Sequence, residues 1–343
     1  MEDEVANWTK VLNGDPLPWL LGDETPSVRH LALVQLLDRP ARDDGVVLAR
    51  AAAMAAHPIA AILAAQQTEG YWGNPGTGYG SKYTGTPWNV IFLDQLGADG
   101  ADPRVRAACE YVLAHAQTAA GGFGATYEVG DKPPPPSAVI HCLNGNLLRA
   151  LLGFGWGDDE RVRRAIDWQI NAVTGEGSFR YYQVGTSGPA FACAANEKQP
   201  CAWGAIKGVL ALARVPAAQR TPRLERAIEM GAEFLLSRDP AVADYPIPSY
   251  SKKPNGSWFK LMFPIGYVTD VLQNLEALCE LGYGRDPRLA NAVNWLLAKQ
   301  DKQGRWPNEY AYNGKTVVDF EKQGRPSKWV TLRACRVLKA VYG

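Results

Sequence analysis

Asp102-Pro103-Arg104-Val105 opens a helix, and the same short signature returns as Asp159-Glu160-Arg161-Val162, Thr221-Pro222-Arg223-Leu224 and Asp286-Pro287-Arg288-Leu289. An Asp or Thr followed by Pro or Glu is what a helix N-terminus asks for: an oxygen for the free N–H groups, then a residue that suits the first turn. Three of these helices carry an aromatic residue at one offset, Tyr111, Trp168 and Trp295, and the fourth has Phe234 one turn later. Glycine turns follow: Gln67-Thr68-Glu69-Gly70-Tyr71-Trp72 after an earlier helix, then Gln117 to Gly121-Gly122-Phe123, Gly177-Ser178-Phe179, and Gln300 to Gly304-Arg305-Trp306. Recurrence at roughly 50–65 residues is the mark of one supersecondary unit stacked on itself.

Between each glycine turn and the next outer helix lies a second helix whose start is marked by proline. Six starts can be read: Thr25-Pro26, Thr86-Pro87, Pro136-Ser137, Gln199-Pro200, Phe263-Pro264 and Arg325-Pro326. The segments after them are apolar with few charges, as in Ala202-Trp203-Gly204-Ala205-Ile206, and predict helices buried on most sides. The outer helices mix apolar residues with Arg, Glu and Lys, the pattern of one solvated face. An open stack needs polar end caps, yet the last helix, from Pro326 through Leu338, is as apolar as the middle ones. The expected fold is therefore all-α, an α6/α6 toroid: a lead-in at 1–24, then a single domain over 25–343. Five outer helices are legible, the first within Asp43–Gln67, and the sixth is assigned to the stretch around Val5–Leu12. No long Val/Ile/Thr-rich alternation predicts a strand.

The chain has 343 residues and a formal net charge of +1, without the basic clusters that a nucleic-acid footprint requires. It opens on Met1-Glu2-Asp3-Glu4 and has no apolar run long enough to span a bilayer, so a cytoplasmic location is expected. In a reducing compartment its six cysteines are read as buried thiols or metal ligands rather than disulfides.

Connections from inner to outer helices are short, whereas those from outer to inner are long, including 125–136, 180–199, 239–263 and 307–325. All the long loops fall on one rim of the ring, where the inner-helix N-termini also converge, and loops of that length are usually functional. The rim is aromatic. Tyr83, Trp88, Trp203, Trp258, Tyr267 and Trp329 are the expected substrate-binding residues, with Tyr181, Tyr182, Tyr245 and Tyr250 nearby and a slight basic lean from Lys82 and Arg180. Such a pocket suits an apolar body with an anionic or polarised head. The plainer reading of any one of these rings is that it packs a long loop onto the wall.

The glycine turns with Gln before and Trp or Phe after resemble the Gln–Trp repeats of the terpenoid cyclase and protein prenyltransferase superfamily, and the resemblance runs from about Pro26 to the C-terminus. It implies the toroidal fold and assigns Trp72 and Trp306 to stability. The Asp-x-Asp-Asp acid motif of squalene–hopene type cyclases has no match, and Asp158-Asp159 is followed by Val162 and sits where an N-cap belongs. A third signature matches in part. Prenyltransferases bind Zn²⁺ through Asp-x-Cys at one inner-helix start and a His near a Cys on a neighbour. Gln199-Pro200-Cys201 resembles the first, with Gln in place of Asp, and His141-Cys142 the second, earlier in the chain. With Cys193, these residues form the expected metal set: Cys142, Cys193, Cys201 and His141, holding Zn²⁺ through thiolates whose pKa helix N-termini lower. His141 and Cys142 point about 100° apart on a helix, which leaves open which of them is the ligand. The alternative for the cysteines is burial as small core residues, the role expected of Cys109, Cys279 and Cys335. His30, His57 and His115 are read as surface or packing residues.

Asp270, at the start of an inner helix amid apolar residues, is the carboxylate singled out for catalysis, as a buried proton donor; equally, it would accept loop N–H groups and hold the rim in shape. The leading expectation is an enzyme of this superfamily acting on an isoprenoid-like or other apolar small molecule, started by Zn²⁺ as Lewis acid or by Asp270. A carbohydrate-active toroid would need paired carboxylates from among Glu128, Asp244, Glu309 and Asp319, and a non-catalytic binding scaffold is the third reading.

Overall fold

In the computed structural model, which describes residues 7–126, 133–176, 189–193, 196–243 and 254–343, the repeated Asp does what its position asks. Asp102, Asp159 and Asp286 each accept the backbone N–H of the Arg two places on, at 2.8 to 2.9 Å. The guanidinium of that same Arg then grips the carboxylate from the side. Thr221 caps its helix through its hydroxyl. The Gly177 turn, Glu128, Arg180, Tyr181, Tyr182, Asp244, Tyr245, Tyr250 and Val5 lie outside the described residues.

The helices are α1 (Leu17–Leu20), α2 (Pro26–Gln35), α3 (Asp44–Ala55), α4 (Ile59–Ala64), α5 (Thr86–Gln95), α6 (Pro103–His115), α7 (His141–Gly153), α8 (Glu160–Thr174), α9 (Ala202–Ala213), α10 (Pro222–Leu236), α11 (Val271–Glu280), α12 (Ala290–Leu297) and α13 (Lys328–Tyr342). Among the described residues there are no strands, only isolated bridges such as Gln117 with Phe123, so the fold is all-α. No described helix is long and apolar enough to cross a membrane.

The inner helices α2, α5, α7, α9, α11 and α13 alternate with outer ones, and neighbours pack in the order α5, α7, α9, α11, α13, α2. The closest approach is α7 against α9, which Gly145 makes possible: a Cβ there would lie 2.4 Å from the backbone of Lys207. One apolar core runs without a break from Trp8 to Leu338. Around the outside the glutamine turns stitch each unit to the next. Gln66 donates to Gly70 and to Arg104 at the start of α6; Gln117 donates to Gly121 and to Arg161 at the start of α8. Gln300 donates to Val11 and accepts from the Asn13 amide. The expected sixth outer helix is thus a 3-10 turn, Asn7–Val11, lying against α13 and receiving the last glutamine as a full helix start would.

Only two inner helices begin at the expected prolines, Pro26 and Pro87. The others start later, at His141, Ala202, Val271 and Lys328. The largest delay follows Phe263-Pro264, where the chain stays non-helical through Thr269 and crosses the interior.

Candidate functional site

One cavity of about 80 Å³, partly open to solvent, is lined by residues of the inner helices α2, α5, α7, α11 and α13 and by Arg214, the C-cap of α9. Its apolar wall is built from Leu31, Ile91, Ile265 and Leu332 around Phe263, which stacks flat on Trp329 with centroids 4.4 Å and planes 2° apart. Its polar wall holds Arg149, Arg214, Arg333 and Arg336 with Asp94 and Glu276. Most of these polar residues belong to the C-terminal halves of their helices, so the cavity lies away from the loop-bearing rim on which the sequence placed the site.

The physical reason is the segment Met262–Thr269, which fills the axis between rim and cavity. A backbone buried there needs a partner for every N–H and C=O, and side chains of the surrounding helices supply them. Arg333 Nη1 donates to Met262 O at 2.6 Å. Gln95 exchanges two bonds with Ile265, at 2.8 and 2.7 Å. Asn146 donates to Gly266 O at 3.1 Å, and Lys207 Nζ to Tyr267 O at 2.8 Å. Asn308 brackets Phe263, and the Tyr312 hydroxyl accepts from Val268 N. Sequence reading missed Lys207, Gln95, Asn146 and Arg333, although each is a polar residue in an apolar helix.

Above the segment the rim is an aromatic cluster, as expected. Lys82 Nζ sits 4.8 Å from the Tyr79 ring and 4.7 Å from the Tyr267 ring. Tyr267 meets Trp203 edge-on at 5.9 Å; Trp88 lies 4.8 Å from Tyr83, which packs on Tyr312 at 4.2 Å. Tyr83, Trp88, Trp203 and Tyr267 therefore come together, while Trp329 faces the cavity below. Trp258 does not join them. It is fully buried with its indole N–H on Pro240 O at 2.7 Å, the role that Trp72 and Trp306 play on Ile62 O and Leu296 O.

Three of the cysteines named for zinc do converge. The Cys201 thiol hydrogen-bonds Cys193; both lie within electrostatic reach of Cys142, and Cys142 and Cys201 lie within reach of Lys207. The pKa values of Cys142 and Cys201 shift opposite to expectation, however: burial pushes the Cys142 thiol up to about 11, against the pull of Lys207, and the Cys193 contact with burial raises Cys201. Desolvation outweighs the helix N-terminus. His141 has its Nδ1 paired with Gln169 Nε2 at 3.1 Å and its ring near Trp168 and Phe191. Among the described residues no three His, Cys, Asp or Glu form a group that could hold a metal ion. The buried Lys207 ammonium is the cation these sulfurs face, and burial depresses its pKa to about 8.

Asp270 is the N-cap of α11 and is fully buried. Oδ1 accepts from Gln273 N at 2.7 Å and Arg333 Nη2 at 3.2 Å; Oδ2 accepts from Met262 N at 3.0 Å and Arg333 Nη1 at 3.4 Å. Burial raises its pKa and Arg333 opposes the rise. Four N–H groups converge on this carboxylate and tie it to the crossing segment, to α11 and to Arg333. Arg333 is also bound to Glu276 at 2.7 Å, Arg336 and Arg149 to Glu280, and Arg214 to Asp94. Gly153 leaves room for that last pair, since a Cβ there would lie 2.0 Å from Arg214.

Of the carboxylates a glycosidase would use, Glu309 is spent on Lys299 and Leu261 N, and Asp319 caps Gly314 in an exposed loop. Cys109 and Cys335 are core residues, His30 is buried against Val46 O, and His115 stacks on Tyr111. Glu321, which the sequence did not single out, lies at the N-terminus of α13 with its carboxylate on Ser327 and Lys328 N; burial lifts its pKa to about 7.

No protein-family model matches the sequence, and no curated protein does. Among solved structures, the chain is similar to type II terpene cyclase MstE from Scytonema. The apo form is 15% identical with a TM-score of 0.30, covering 82% of this chain and 95% of that one. A variant in complex with geranylgeranyl dihydroxybenzoate is 16% identical with a TM-score of 0.31, covering 82% and 94%. A protein from Actinoplanes is 14% identical with a TM-score of 0.33, covering 85% and 99%.

Proposed function

We propose that the protein takes an apolar, isoprenoid-like small molecule into the cavity lined by the inner helices and carries it through a cyclase- or transferase-type reaction. The observation that carries this reading is the apolar wall, where the Phe263–Trp329 stack meets Ile91, Ile265, Leu31 and Leu332. Stacked aromatic faces give a hydrocarbon dispersion contact and favour positive charge developing on it. The crossing segment closes the rim side of the cavity, and Asp270 and Arg333 fix its position.

The test is direct binding. Farnesol and geranylgeraniol titrated into the protein in a calorimeter should bind saturably. Leu31→Trp, which adds bulk on the cavity wall, should weaken both by about tenfold or more with an unchanged melting temperature. Equal affinity in wild type and variant would place the ligand elsewhere or nowhere.

A further inference from the structure

The cavity is not apolar all round, and its polar wall carries more cation than anion. Four guanidiniums line it but only two carboxylates do, Asp94 and Glu276; the other two acids of the network, Glu280 and Asp270, are not among the lining residues. Arg149 spends only Nη2, on Glu280, and Arg214 only Nη1, on Asp94 and the Arg149 carbonyl. Their remaining N–H groups, Nε and Nη1 of Arg149 and Nε and Nη2 of Arg214, have no acceptor among the described residues. Both side chains keep access to solvent, at 18% and 30% exposure. An unspent guanidinium fork is a shaped receptor for a carboxylate. A second observation points the same way: Gln35 Oε1, on the same cavity wall, is buried without any donor, and a buried amide oxygen calls for a hydroxyl or N–H on whatever fills the space.

We propose that the ligand of this cavity is a hydrocarbon-bodied carboxylic acid, its carboxylate taken by Arg149 and Arg214 and its body laid on the Phe263–Trp329 stack. This rests on the reading of the cavity given above and adds the chemical class of the head. Asp94 is the built-in competitor: its carboxylate holds one arm of Arg214 at 2.8 Å.

Matched probes separate head from body. Farnesoate and farnesol share a chain and differ at the head, so wild type should bind the acid about tenfold more tightly than the alcohol, the worth of one charge-assisted pair. Arg149→Gln and Arg214→Gln should each erase that preference while keeping farnesol affinity, which also reports that the variants are folded. Asp94→Asn, which frees Arg214, should tighten farnesoate several-fold and leave farnesol unchanged. Equal binding of acid and alcohol in wild type, or a preference that survives both arginine variants, overturns the head-group assignment and leaves the apolar cavity standing. Failure of both probes to bind overturns both.

Discussion

The outer seam of this molecule is made by the outer helices and their turns, the inner wall by the inner helices, and the two follow opposite rules. On the outside one solution is repeated. Gln66 and Gln117 each tie their own glycine turn to the next helix start, and Trp72 and Trp306 each donate an indole N–H to the carbonyl ten residues back at the same 2.7 Å. The contacts to the crossing segment are not repeated: Gln95, Asn146, Lys207 and Arg333 come from four different helices, and each meets a different group of that segment. Repetition marks what every unit needs in order to stack. Its absence marks what the molecule needs once, and that is where the cavity lies.

The widest gap between the two regions should appear at Arg333. Arg333→Met leaves Asp270 and Glu276 buried without their cation and Met262 O without a donor, and should cost about 3–5 kcal/mol in urea unfolding. A loss well below that would mean the inner network is as replaceable as a surface pair. On the outer side the sharper test is equality. Trp72→Phe and Trp306→Phe each remove a buried indole bond and part of its volume, so each should cost about 2 kcal/mol; a difference beyond about 0.5 kcal/mol would show that the two turns are not equivalent. The smallest effect is expected at Glu321, which has no counterpart in the other units. Its folded pKa, about 7, lies above the ordinary 4.5, so the native state binds the extra proton between those values. Its contribution is full below pH 4.5 and is lost as pH rises through about 7. Thermal melts of wild type and Glu321→Gln should therefore diverge across that window, with wild type losing on the order of 1–2 kcal/mol relative to the variant after solvent screening. Parallel pH profiles would remove Glu321 from the account.

The outer wall was legible in the sequence because periodicity is visible without coordinates. Asp102, Asp159 and Asp286 announce helix starts, and the glutamine-to-aromatic turns announce the stack. The convergence of Cys142, Cys193 and Cys201 was legible too, from helix starts alone. The pKa shifts of Cys142 and Cys201 were not, since a sequence cannot weigh desolvation against a helix N-terminus. The crossing segment stayed hidden for a related reason. Phe263-Pro264 has the look of a helix start, and a stretch of backbone threaded through an interior reads the same as a surface loop. What would have exposed it is the set of polar residues stranded in apolar helices, above all Lys207 and Arg333, each a charge that an interior admits only with a partner.

The glutamine seam has a consequence for how the molecule assembles. Gln66 and Gln117 bond to carbonyls 38 and 44 residues away, but Gln300 and Val11 are separated by 289. Chemically the three bonds are alike; in chain entropy the last is the dearest, because everything between its ends must already be ordered. Nascent hairpins lock pairwise as they form, and the join between first and last waits, setting the clock for folding and offering the earliest point of release when the structure opens.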